Sequence, residues 1–239
     1  VPDIQNSTLS GLSSISTNYG PKYSWSSFYQ WQADVFNIQN NTMTHFRDSD
    51  TTNGVYYQDM CMNTGVSNTV IMNNNVNNCA VGVFFQRTAY SYYHSQSEWG
   101  ADGAIVEGNT FNDGEYLDVW FYLNSYADNV TVKDNQFTGS SSPGYNVYTQ
   151  DRTTIGLVID GNTFSNGDEP IYMRGGLDWE ITDNTIYGDG DASHIGIAAR
   201  NGYGIIDGNT LIDSDGGILV DGITANQVVN ITNLSLIHI

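Results

Sequence analysis

The chain has 239 residues, 7 Lys+Arg against 26 Asp+Glu, a formal net charge of -19 and only 14% charged residues in all. A chain this negative repels phosphate backbones and anionic headgroups, which excludes nucleic acid and leaves cations and neutral polymers as partners. No apolar run approaches the roughly 20 residues of a spanning helix, so no membrane insertion is expected, and a start at Val1 without a signal-peptide core reads as processed or truncated.

Residues 1–30 carry no repeated pattern and read as an N-terminal cap or irregular segment. From about residue 31 an aliphatic pair, a polar step and an Asn recur, at Asn41, Asn74, Asn109, Asn135, Asn162, Asn184 and Asn209, with steps of 33, 35, 26, 27, 22 and 25. "AIVEGNTFNDG" from Ala104, "NVTVKDNQFTG" from Asn129 and "LVIDGNTFSNG" from Leu157 show the unit. Cys61 and Cys79, 18 residues apart, match no metal spacing and leave a disulfide or two buried thiols open. The first two steps, 33 and 35, exceed the later ones and point to inserted loops, clearest in "TAYSYYHSQSEWG" from Thr88 to Gly100. Sequons at Asn6, Asn40, Asn129 and Asn230 are compatible with secretion.

Periods of this size indicate a solenoid. The segments before each Asn alternate and are β-branched, and a second strand lies upstream in each repeat: "YLDVWFYLN" from Tyr116, "YNVYTQ" from Tyr145, "PIYMR" from Pro170, "HIGIAAR" from His194 and "GILVD" from Gly217. A brief third strand such as Thr163-Phe164 follows the Asn. The sharp bend there demands a left-handed backbone, which Asn or Gly tolerates, and an inward Asn amide both donates and accepts to the coils above and below.

This pattern resembles the right-handed parallel β-helix with an asparagine ladder found in pectate-lyase-like proteins and parallel β-helix repeat proteins. The resemblance implies an all-β, single-stranded solenoid of about seven coils over residues 31–233. The next ladder position is 234, where Leu234 stands, and the final "LSLIHI" resembles a translated sequencing adapter, so residues 234–239 are expected to be a non-native tail.

In the upstream strand, taking Phe121 and Leu123, Val147 and Thr149, Ile171 and Met173, Ile197 and Ala199, and Ile218 and Val220 as inward fixes what points out. One outward column runs Phe84, Tyr122, Tyr148, Tyr172, Ala198, Leu219, with Trp120 beside it. Its neighbour runs Gln86, Asn124, Gln150, Arg174, Arg200, Asp221. Coils about 4.8 Å apart would make the aromatic column a strip on which sugar rings stack. Trp120, Tyr122, Tyr148, Gln150 and Tyr172 are the expected polysaccharide-binding residues.

The loops entering this strand are acidic, at Asp168, Glu169, Asp189, Asp191, Asp213 and Asp215, an oxygen-rich set that suits Ca²⁺. In pectate-lyase-like enzymes a carboxylate-held calcium neutralises a uronic acid while an Arg or Lys removes the adjacent proton. That likeness implies a metal at Asp168, Asp191 or Asp215 and a base at Arg174 or Arg200, with His194 close by. None of the short motifs of pectate lyases, polygalacturonases or alginate epimerases is intact. Hydrolysis would instead pair Asp118 with Asp168, two coils and about 9 to 10 Å apart, the upper edge of the inverting range.

Two functions follow. One is a secreted or cell-surface protein that binds a polysaccharide, with lyase-like or glycosidase-like cleavage of it left open. The other is a non-catalytic structural or adhesin segment of a larger extracellular repeat protein, able to self-associate through the solenoid ends.

Overall fold

The computed structural model describes residues 3–10, 28–30, 37–44, 60–64, 67–79, 81–85, 101–114, 117–121, 127–140, 145–150, 154–165, 167–188, 194–214 and 216–237. Its strands are short, and all of their pairings are parallel. Each turn of the chain places one strand in each of three sheets. The first sheet runs from Asp3–Gln5 through Asn37–Gln39, Val70–Met72, Ile105–Glu107, Thr131–Lys133, Val158–Asp160, Trp179–Thr182 and Gly204–Asp207 to Val229–Thr232. The second begins at Thr8–Ser10 and ends at Ser235–Ile237, and the third runs from Phe28–Gln30 to Ile218–Asp221.

Alternation of side chains by two residues explains the core. From Asn37–Gln39 to Gly204–Asp207 one residue of each first-sheet strand points in, giving a buried stack of Ile38, Ile71, Val106, Val132, Ile159, Ile181 and Ile206. In the second sheet the same position holds Phe111, Phe137 and Phe164. Their rings stack at 5.0 and 4.8 Å with interplanar angles of 7° and 4°. Ring spacing equals the rung spacing of about 4.8 Å, so one pitch serves both backbone pairing and aromatic packing.

The seven asparagines form a buried file between the first two sheets. Asn109 shows the pattern: its backbone N and its Nδ2 both donate to Asn135 Oδ1, at 2.9 and 3.0 Å, and Nδ2 also donates to Ile71 O at 2.9 Å. The file extends to Ser7, whose N donates to Asn41 Oδ1 at 2.9 Å. The left-handed residue, however, is the one before each ladder Asn: Asn40, Asn73, Gly108, Asp134, Gly161, Asp183 and Gly208 have φ between 52° and 68°. Turning the corner and lining the ladder are therefore done by adjacent residues, with the Gly, Asp or Asn beside the ladder Asn making the turn.

The left-handed file has its own order. The Asn73 side chain lies over Gly108, where an added Cβ would come 2.6 Å from Asn73 Oδ1. Asp134 lies over Gly161, and Asp183 over Gly208, in the same way. From residue 73 onward, an acid or amide side chain on one coil fills the space that only glycine leaves open on the next.

Cys61 and Cys79 are bonded and buried, which settles the alternative left by the sequence. Among the described residues the first and second sheets hold nine strands each, more than the seven coils expected. The difference lies at both ends. Within the expected cap, Asp3–Gln5, Thr8–Ser10 and Phe28–Gln30 pair as ordinary rungs. At the other end Ser235–Ile237 pairs with Thr210–Ile212, and Leu234 packs against the core in place of a ladder Asn. The inserted loop of residues 88–100 falls outside the described residues.

Candidate carbohydrate-binding face

The outer side of the third sheet carries the candidate site. Register places Phe84, Trp120, Tyr148, Tyr172, Ala198 and Leu219 on successive rungs of one column. Trp120 therefore occupies the rung expected for Tyr122, and Val119 with Phe121 points inward instead of Phe121 with Leu123. The two-residue offset arises because three apolar residues, Val119, Trp120 and Phe121, satisfy alternation in either register. Tyr122 and Leu123 themselves lie outside the described residues.

Trp120 is not a free stacking face: it is 4% exposed, packed edge-on to Phe84 at 4.8 Å and against Tyr148 at 6.3 Å. Burial of so large an apolar ring is what the hydrophobic effect favours, and it overturns its assignment as an exposed sugar platform. The half-buried aromatic surface lies one step along the solenoid. There Tyr145, Tyr148 and Tyr172 have ring centres 5.0 to 5.3 Å apart. Tyr145 was not among the expected site residues; it and Tyr148 are three apart, a spacing that strict alternation sends to opposite faces.

Basic side chains flank these rings. Gln150, Arg174 and Arg200 follow one another by coil: Arg174 N donates to Thr149 O, and Arg200 pairs in register with Asp221. The Arg200 guanidinium carbon lies 5.3 Å from the Tyr172 ring centre. Arg174 is exposed, and a hydrogen bond from its guanidinium to Tyr148 raises its pKa above the ordinary value. Two polar atoms on this column, Gln150 Oε1 and Arg200 Nε, are buried without a hydrogen-bond partner among the described residues.

Acidic side chains close the other flank. His194 Nε2 lies 3.3 Å from Asp168 Oδ1. Burial pushes the Glu169 carboxyl up, opposed by the Arg200 charge and by the Tyr145 hydroxyl, and reinforced by Asp168. Arg174 thus contacts Tyr148, Arg200 contacts Tyr172, and Glu169 contacts Tyr145 and Arg200 beside the Asp168–His194 pair. Asp118 does not join them. It is 2% exposed and accepts a hydrogen bond from Asn146 Nδ2 at 2.7 Å, so the expected outward pair with Asp168 does not form. Its strand departs from alternation at that residue, turning the carboxyl inward.

Asp213 sits half-buried at a left-handed bend after Thr210–Ile212, with its N donating to Ile237 O. Asp189, Asp191 and Asp215 lie outside the described residues. Among the described residues no three His, Cys, Asp or Glu side chains converge as a metal site. The two described acids of the entering loop, Asp168 and Glu169, are already engaged by His194, Tyr145 and Arg200.

No helix of the described residues is long and apolar enough to cross a membrane. No curated protein matches the chain. Residues 122–235 match the family model described as the right handed beta helix region, and three parallel sheets, one strand per sheet per turn and a buried asparagine file give the chain the fold of a parallel β-helix.

Proposed function

We propose that the protein binds a polysaccharide along the outer face of its third sheet, outside the cell or at its surface. Tyr148 and Tyr172 supply ring faces, while Gln150, Arg174 and Arg200 contact hydroxyl or carboxylate groups of the sugar. The observation that carries this reading is the joint placement of three half-buried tyrosines and two arginines on adjacent rungs of a chain whose net charge is -19. Concentrating scarce cations beside aromatic rings favours a polar ligand with π-stacking faces, and anionic sugars above neutral ones. The Cys61–Cys79 bond supports an oxidising, extracellular setting.

Binding is favoured over lyase chemistry by the arginines themselves. A base must first lose its proton, and the Tyr148 contact holds the Arg174 proton more tightly. Arg174 therefore serves as a fixed cation. The observation favouring cleavage is the Asp168–His194 pair, in which a carboxylate orients an imidazole able to exchange protons with a bound glycan. A calcium ion at the acidic loops would draw on Asp189, Asp191 and Asp215, with Asp168 giving up His194.

Replacing Tyr148 and Tyr172 with Ala should abolish binding on a glycan array while far-ultraviolet circular dichroism stays that of the parent. Unchanged binding would remove the aromatic face from the proposal. Release of unsaturated or reducing ends that disappears in His194→Ala would establish cleavage. No glycan binding in any assay would favour the structural or adhesin reading.

A further inference from the structure

The third sheet breaks strict alternation at one level. Leu117 and Trp120, three residues apart, both enter a small outer cluster, whereas Val119 and Phe121 enter the main core. Val81 and Phe84 repeat this spacing on the coil before, and Tyr145 and Tyr148 on the coil after. Side chains that normally alternate by two can do this only if one residue is taken up locally, as in a β-bulge. Gly82, Asp118 and Asn146 stand at that place on the three coils.

Asp118 and Asn146 are 2% and 0% exposed. Asn146 Nδ2 donates to Asp118 Oδ2 at 2.7 Å, yet Asn146 Oδ1 is buried with no hydrogen-bond partner among the described residues. A buried amide oxygen without a donor costs free energy, and an ionised carboxylate has no proton to offer it. A protonated carboxyl does: its hydroxyl donates to Oδ1 while its other oxygen accepts from Nδ2.

The neighbours supply no countercharge. On the strand before, Gly82 leaves room for the Asp118 backbone, since a Cβ there would lie 2.6 Å from Asp118 O and 2.8 Å from the Phe111 ring. Val81–Phe85 and Gln136–Ser140 contain no ionisable residue. Tyr145 and Tyr148 on Tyr145–Thr149 pack in the outer cluster, and Asp113 is the remaining ionisable residue on Thr110–Gly114. None of these is a cation that would favour a carboxylate.

We propose that Asp118 is a positioning residue: a neutral carboxylic acid that exchanges two hydrogen bonds with the Asn146 side chain and so holds Trp120 and Tyr148 in their outward register. Desolvation by burial pushes the Asp118 carboxyl up from 3.8 to about 7, offset only in part by Asn146. A raised acid keeps its proton when folded and releases it on unfolding. The pair's contribution is thus complete below about pH 4, falls as pH rises toward about 7, and stays lost above it. The proposal stands whether or not the face binds a glycan, because its readouts need no ligand.

The test compares the parent with Asp118→Asn, which keeps a donor and an acceptor at every pH. Protons released on unfolding at about pH 5.5 are counted by calorimetry in buffers of different ionisation enthalpy. The parent should release one more proton than the variant, and should lose near-ultraviolet aromatic dichroism above neutrality where the variant retains it. Equal proton release in the two proteins would overturn the proposal. If the variant does not fold, infrared spectra of the parent and of Glu169→Gln at about pH 6 decide. A protonated-carboxyl band that survives Glu169→Gln supports the pair, and its absence overturns it.

Discussion

Arg200 lies over the ring of Tyr172, with its guanidinium carbon 5.3 Å from the ring centre, and the same guanidinium faces the Glu169 carboxyl. The stack and the charge contact place a cation between a sugar-sized ring and a half-buried acid. Arg200→Leu removes the charge that opposes the upward shift of Glu169, so the Glu169 carboxyl should titrate at still higher pH, read by carbon NMR of the labelled side chain. The partial exposure of the pair keeps the direct stability cost small, about 0.5–1 kcal/mol for the cation–π contact. An unchanged Glu169 titration would show that Arg200 does not act on it.

The ladder predicts a position-dependent cost for losing an Asn. Asn135→Ala removes the Nδ2 bonds to Asn162 Oδ1 and to Val106 O, and leaves Asn109 N and Nδ2 without their acceptor. Several buried polar groups then lack partners, which should cost roughly 3–5 kcal/mol in denaturant unfolding. Leu234, which occupies the ninth rung of the same file, packs against the core. Leu234→Asn should change stability far less than Asn135→Ala, since it breaks no existing hydrogen bond of the file.

At the left-handed file, Gly108→Ala should destabilise by about 1–3 kcal/mol, because it combines φ of 64° with a methyl 2.6 Å from Asn73 Oδ1. Asn73→Gly should recover the steric part of that loss and none of the backbone part. A double-mutant cycle separates the two, and strictly additive effects would show that the side chain and the glycine are not coupled.

Reduction of Cys61–Cys79, whose sulfurs lie 18 residues apart in sequence, should lower stability by about 2–4 kcal/mol. Both residues are buried, so the native protein should react slowly with dithiothreitol and quickly once partly unfolded. Equal rates in native and denaturing buffer would contradict the burial.

The fold was legible because one physical requirement repeats: a buried amide that satisfies neighbouring turns recurs as Asn109, Asn135, Asn162, Asn184 and Asn209. Where the rung holds another residue, as at Ser7 and Leu234, the pattern failed to reveal that the coil continues. The face was legible in part. Arg174 and Arg200 needed only rung counting, since their strands alternate cleanly. Trp120, Asp118 and Tyr145 were misplaced or missed because all sit at the bulge, where a shift of one residue exchanges inside for outside and no residue type announces it. The buried Asp118 is a case where composition misleads: an acid in a strand reads as solvent-facing unless its partner amide on the next coil is known.

The succession Asn73, Gly108, Asp134, Gly161, Asp183, Gly208 gives the solenoid a grain finer than its pitch. A gene that lengthened this region by copying a single turn would set two carboxylates, or two unsupported glycines, directly above one another. Copying turns two at a time preserves the interleaving, so the smallest unit by which this stretch can grow without new strain is a pair.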